Sequence, residues 1–199
     1  VTSSAVVYVD RELAMRGNVT TLVPDEPRPR LPRSILEMSS EHLTRLKMLA
    51  EMLARSSLSY KGGYNPLTDG DLFIIMLKGL SLGLTEMAAL ESIDLIGGKP
   101  CLDAQGMLGL IYASNQLESI SFDSTDERCI CTMKRKGYPA HVEEFGVKEA
   151  TVYMTTEGWG EKKKTISLIE KPNYKNQKRV MFKWRCAAAA ARTVFPDVI

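Results

Sequence analysis

The chain has 199 residues, 44% of them hydrophobic and 25% charged, with a formal net charge of +2. These values exclude a wholly disordered, collagen-like or coiled-coil chain, and the length allows one domain with a substantial core. The small net charge hides an asymmetry: residues 34–127 carry six Lys/Arg against thirteen Asp/Glu, and residues 128–199 carry fifteen against seven. That split points to an electrostatic partner for the basic part, or to subunits that meet acidic against basic.

No stretch reaches the ~18 consecutive apolar residues that cross a bilayer. Residues 72–84 come nearest, and Lys78 interrupts them. No signal peptide is recognisable, although the first residue is Val1 rather than Met, so a soluble, cytoplasmic protein is expected. Of the four cysteines (Cys101, Cys129, Cys131 and Cys186), only Cys129 and Cys131 are close in sequence. In a strand, C-x-C puts both on one face, and the two histidines, His42 and His141, lie far from any cysteine. Free thiols in a reducing compartment are expected, not a metal site.

Residues 1–33 read as an arm and linker, and residues 34–199 as the core. Residues 22–33 contain four prolines, which forbid helix, and residues 5–9 fit a short strand, an arm that docks on a neighbouring subunit, or a disordered end. From Ser39, leucines and methionines at three- and four-residue spacing predict an amphipathic helix capped by Ser39 or Ser40. Residues 59–66 are loop chemistry. Thr68-x-x-Asp71 then opens a second helix, apolar nearly all round and therefore central, with Gly83 at its C-terminal cap. Thr85 starts a short third helix, residues 94–96 a strand turning at Gly97-Gly98, and Asp103 caps a fourth helix. Three strand-like runs, 117–122, 128–134 and 140–145, are separated by turn-forming DSTDE and KGYP and predict an antiparallel meander. Residues 147–154 read as a further helix, 155–171 as an exposed loop or hairpin with the lysine run 162–164, and about 176–194 as the last helix. The expected class is α+β: helices packed on a small three-stranded antiparallel sheet, ending in a long basic helix.

Enzyme signatures are not found. Gly97-Gly98-Lys99-Pro100 lacks the glycine that a phosphate loop needs five residues before its GK pair, where Ile93 stands, and Pro100 replaces the Ser/Thr. A turn is the reading. Acidic pairs, Asp123/Asp126 and Glu143/Glu144 with Lys148 nearby, would have to converge to make a metal-dependent nuclease; turn residues and solvated strand ends explain them more simply.

The basic C-terminal third carries the functional signal. Residues 171–192 hold seven cations (Lys171, Lys175, Lys178, Arg179, Lys183, Arg185 and Arg192) and no acid, with Tyr174, Phe182 and Trp184 interleaved. Solvated charged faces normally mix signs, so a cationic helix with an alanine stripe for packing suits a phosphate backbone. Lys178, Arg185 and Arg192 recur every seven residues on one side, and Lys175, Arg179 and Lys183 every four as a second row. Lys134, Arg135 and Lys136 sit at a hairpin tip, where cations either track a backbone or keep a turn soluble. Trp184 reads as core, whereas Tyr174, in the loop before the helix, is the candidate for stacking on unpaired bases. Arg192 is either a phosphate contact or the anchor of the Phe195-Pro196-Asp197 turn, and Asp197 is structural.

These residues also carry a family resemblance. GLTEMAALESIDLIGGKPCLDAQGMLGLI (83–111) is similar to the central block of the RecT family of phage and prophage single-strand annealing proteins. ERCICTMKRKG (127–137) resembles that family's basic hairpin, and RVMFKWRCAAAAARTVFPDVI (179–199) its closing basic helix and F-P-D motif. The three blocks stand in the family's order, and the resemblance covers about residues 37–150 and 171–199. Residues 155–170 and the Gln105-Gly106 pair depart from the family pattern.

The resemblance implies ATP-independent annealing in recombination and repair. Many subunits would assemble along single-stranded DNA as a ring, helix or filament and pair it with a complementary strand into duplex. Lys99, Lys134, Arg135, Lys136, Tyr174, Lys175, Lys178, Arg179, Lys183, Arg185 and Arg192 would line the DNA groove. No cofactor is implied beyond Mg2+ accompanying DNA, nor any membrane partner. A C-terminal region beyond Ile199 would recruit a phage exonuclease and a host single-strand binding protein. The rival readings are a passive single-strand binding module, a metal-dependent nuclease and a protein–protein scaffold.

Overall fold

Helix caps written within three or four residues of sequence set the first half of the fold. The computed structural model describes residues 38–60, 66–157 and 164–199; the arm and linker at 1–33 and the lysines at 162 and 163 lie outside them. The Ser39 hydroxyl accepts from the His42 N–H at 3.2 Å and opens helix α1 (Ser40–Ala54). Thr68 and Asp71 form a reciprocal capping box, 3.1 Å and 2.9 Å, at the start of α2 (Asp69–Ser81). Thr85 caps α3 (Glu86–Ser92), and Asp103 caps α4 (Ala104–Ala113) with a 2.6 Å bond from the Gly106 N–H. Each cap satisfies an otherwise orphaned backbone donor.

Between α2 and α3 the chain turns by 106°. Gly83 makes the turn possible with a φ of +76°, and the Leu84 and Gly83 amides bond back to the Gly79 and Leu80 carbonyls at 2.9 Å. That is a Schellman closure, which favours glycine at the left-handed position. It brings α3 so close to α2 that a Cβ on Gly79 would stand 2.1 Å from the Ala89 Cβ. Gly79→Ala gains up to about 1 kcal/mol of helix propensity but overpacks a helix crossing, at a cost of about 1–3 kcal/mol. We expect a net loss of stability, read as a lower urea midpoint with unchanged slope.

Strands β1 (Ile93–Ile96) and β2 (Lys99–Leu102) form a hairpin whose two turn residues, Gly97 and Gly98, have φ of +60° and +78°. Two positive φ values in a two-residue loop match the twist of a right-handed hairpin. The turn expected there is present. The sequence reading names no strand after that turn; β2 forms there because Pro100 is tolerated in a two-stranded ribbon with a free edge.

The meander is as expected: β3 (Leu117–Ser124), β4 (Arg128–Arg135) and β5 (Ala140–Gly146), antiparallel in that order. Alternation puts Cys129, Cys131 and Met133 on one face, all fully buried, and Ile130 and Thr132 on the other. A short helix α5 (Val147–Val152) and a hairpin of β6 (Met154–Glu157) and β7 (Lys164–Ser167) follow.

A short helix α6 (Pro172–Asn176), not expected from the sequence, precedes the expected last helix, present as α7 (Lys178–Val194); Gln177, at φ −140° and ψ 46°, separates the two. Helix α7 lies across β4 and β5. Cys186, Ala187, Ala190 and Ala191 are fully buried, so small side chains let the helix approach the sheet closely. Phe182 fills the remaining gap, its ring 6.0 Å from Phe145 and 6.1 Å from Tyr174. The class is therefore α+β, with helices and small antiparallel sheets around this core. A smaller cluster joins Leu46, Ala50 and Leu53 of α1 to Leu72, Met76 and Leu80 of α2. Among the described residues, no helix is long and apolar enough to cross a membrane.

Candidate nucleic-acid interface

On α7, the sheet-facing positions are taken by Phe182, Cys186, Ala187, Ala190 and Ala191. The 3.6-residue period therefore turns Lys178, Arg185 and Arg192 outward, about 10.5 Å apart along the axis. Lys178 is half-buried, and Arg185 and Arg192 are exposed. Among the described residues none of the three has a carboxylate within 4 Å. The Arg185 Nε donates to the Tyr174 hydroxyl at 3.0 Å, which fixes the side chain while the residue stays exposed. The sequence-expected ridge exists as a surface.

Its first turn is unusual electrostatically. Lys178 and Arg179 stand at the N-terminus of α7, where no acid is present and the Gln177 side chain makes no cap bond. Cations there oppose the helix macrodipole, at about 0.3–1 kcal/mol each. An anion placed there would satisfy both the orphan amides and the charges.

The second row expected from sequence does not form as a row. Lys175 lies on α6, across the Gln177 break, and is exposed apart from α7. Lys183 points toward the edge of the sheet, its Nζ 5.0 Å from the ring centres of both Phe122 and Trp184. Arg179 is exposed, and its carbonyl accepts from the Ser124 hydroxyl at 3.3 Å. Trp184 is half-buried against the core, as expected.

Tyr174 is a correction. It lies on α6, not in a loop, and is 1% exposed, with its ring against Phe182 and its hydroxyl on Arg185. A buried ring has no face to offer a base. The aromatic residue that looked like a stacking platform is the plug between α6 and α7.

Arg135 is the second correction. Its guanidinium forms a bidentate pair with Asp197 at 2.6 and 2.7 Å, donates to the Val194 carbonyl at 3.3 Å, and bonds Gln116 Oε1. It is also flanked by the Tyr138 and Phe195 rings at 5.5 and 5.3 Å. All four N–H groups of its terminal nitrogens are taken, because β4 uses them to hold the turn after α7. Asp197 is thus structural, as expected, but its partner is Arg135 and not Arg192. Lys134 pairs with Glu118 at 2.7 Å, and Lys136 bonds Asn115 at 3.0 Å, so both hairpin cations have local acceptors. Lys99 is exposed at the β1–β2 tip.

The Arg135 hydrogen bond holds the Asp197 carboxyl below the ordinary carboxylate range. The stability this pair contributes is therefore present above the unfolded value of about 3.9 and is lost as pH falls below it, through the depressed folded value. Asp197→Asn should flatten the fall in stability below about pH 4, a difference that urea midpoints at stepped pH will show.

The cysteines are free thiols, as expected. Burial pushes Cys129 up to about 11; the hydrogen bond that Cys186 donates to Cys131, with burial, raises Cys186 further and lowers Cys131. The Cys186 thiol donates to the Glu143 and Cys129 carbonyls at 3.0 and 3.4 Å, tying α7 to the sheet. Thiols held protonated in this way are packing groups. Glu143 and Glu144 face opposite sides of β5 and bond His141 and Arg128 at 3.1 and 3.2 Å. Among the described residues, no group of three His, Cys, Asp or Glu side chains is placed to hold a metal ion.

One cation was missed. Lys78, read from sequence only as an interruption of an apolar helix, lines a cavity together with Arg192. Their positions, 114 residues apart in the chain, gave no local signal.

No protein-family model matches the chain, and no curated protein matches it.

Proposed function

We propose that this chain is an ATP-independent protein that binds single-stranded DNA, oligomerises on it and anneals complementary strands. The observation that carries the reading is the outward ridge of Lys178, Arg185 and Arg192, unopposed by any carboxylate among the described residues. The cations of the first turn of α7 add to it. Long-chain cations at regular spacing grip phosphates without reading bases, which leaves base edges available for pairing. The alanine-lined inner face of α7 fixes this ridge rigidly on the sheet, so binding costs little reordering. The motif order that resembles the RecT family supports the same function and suggests a phage or prophage origin in a bacterial cytoplasm. The acidic 34–127 segment and basic 128–199 segment suit head-to-tail contact between copies. Partners in that setting are an exonuclease and a host single-strand binding protein.

The test is annealing of two complementary labelled oligonucleotides without ATP at stepped salt, with sizing of the complex. Salt-sensitive acceleration in a large assembly is the expected result. Tight binding without acceleration would make the protein a coating module instead. Loss of labelled DNA with magnesium would make it a nuclease, and no binding at low salt would end the nucleic-acid reading.

A further inference from the structure

Where the ridge ends, at Arg192, the surface sinks into a cavity of about 390 Å3. Its volume is in the range of small-molecule sites. Lys78 reaches it from the last turn of α2 and Arg192 from the last turn of α7. Neither has a carboxylate within 4 Å among the described residues. Apart from Cys101, the other lining residues are apolar: Leu82, Pro100, Leu102, Met107, Pro196 and Ile199. The wall at Pro196 is held in place by the Arg135–Asp197 clamp on either side of it, through Phe195 and Asp197.

Two cations in a mainly apolar lining suit one class of ligand, a planar ring carrying phosphate. Another cavity, about 290 Å3, shows the contrast. It is lined by Leu53, Leu72, Met87 and Leu90 with Ser57, Tyr60 and Glu91, and has no cation among the described residues.

We infer that the cavity beside Arg192 takes one unpaired base of the bound strand, with Lys78 and Arg192 on the flanking phosphates. This rests on the single-strand reading above and deepens it. A base in a duplex is stacked and paired and cannot enter without being unpaired and extruded. The cavity thus discriminates single strand from duplex, which the phosphate ridge alone does not. It also implies that the held base must leave when a complementary strand pairs with it, so the site loosens its grip on the product.

The experiment compares a thymidine 20-mer with an abasic 20-mer of equal phosphate count. The wild-type protein should bind the thymidine strand at least about fivefold more tightly, the effect of one stacked base. Leu82→Trp fills the cavity without changing charge and should bring that ratio to about one. Pro196→Trp fills it from an exposed turn and serves if the first variant does not fold. Lys78→Gln should lower the salt slope for the thymidine strand by about 0.7. The inference is overturned if the filled variants keep the wild-type ratio, or if Lys78→Gln leaves the slope unchanged, while wild-type binding stands. If the wild-type protein binds neither strand, the single-strand reading itself falls and takes this inference with it.

Discussion

With Lys178, Arg185 and Arg192 all replaced by glutamine, the log–log dependence of single-strand affinity on salt should lose about two units of slope. Each phosphate contact on a single strand contributes about 0.7 through counterion release, and the three side chains face the same way. The loss should be uniform across base sequences, because phosphate contacts carry no sequence information. Thermal stability should fall by no more than about 1–3 kcal/mol, the cost of leaving the buried Tyr174 hydroxyl without its Arg185 donor, since no ion pair is broken among the described residues. A triple variant with the wild-type slope would remove α7 from the interface. For comparison, Lys134→Gln and Lys136→Gln remove cations that already have local acceptors, and their effect on the slope should be smaller.

The second large effect concerns what holds the ridge in place. Phe182 is fully buried between the rings of Phe145 and Tyr174. Phe182→Ala deletes the ring that joins α6, α7 and β5, at about 3–5 kcal/mol. For a chain of this size that lowers Tm by roughly 6–20 °C. Below the transition the ridge cations remain, so the salt slope should keep its wild-type value while the protein melts early. A slope that fell with Tm would mean that packing and phosphate contact are coupled through α7.

What the sequence shows well is what is local. Ser39, Thr68, Thr85 and Asp103 were legible as caps because each bonds an amide three residues on. The meander was legible from alternation, and the α7 ridge from a seven-residue spacing that any helix turns to one side. The failures at the site lie in contacts beyond the reach of one helical turn. Arg135 meets Asp197 across 62 residues, and nothing in KRKG distinguishes a clamped arginine from an exposed one. Tyr174 is removed from the surface by an arginine 11 residues later, through a break at Gln177 that no proline or glycine announces. Lys78 gains its meaning only when the turn after α7 folds back over α2 and β2.

Helix α2 has a further consequence through its two apolar faces. Ile75 belongs to the large core under α7, whereas Leu72, Met76 and Leu80 hold α1 through the smaller cluster. Helix α1 therefore rests on one modest apolar seam, with Met48 and Met52 exposed on its far side. Such a unit opens at lower free energy than the rest, and its amides should exchange with solvent before those of α2 and β4. That partial opening would bare one side of α2 while leaving α7 seated on the sheet. The basic ridge would then outlast the release of α1, and the protein could loosen at one end while still gripping a strand at the other.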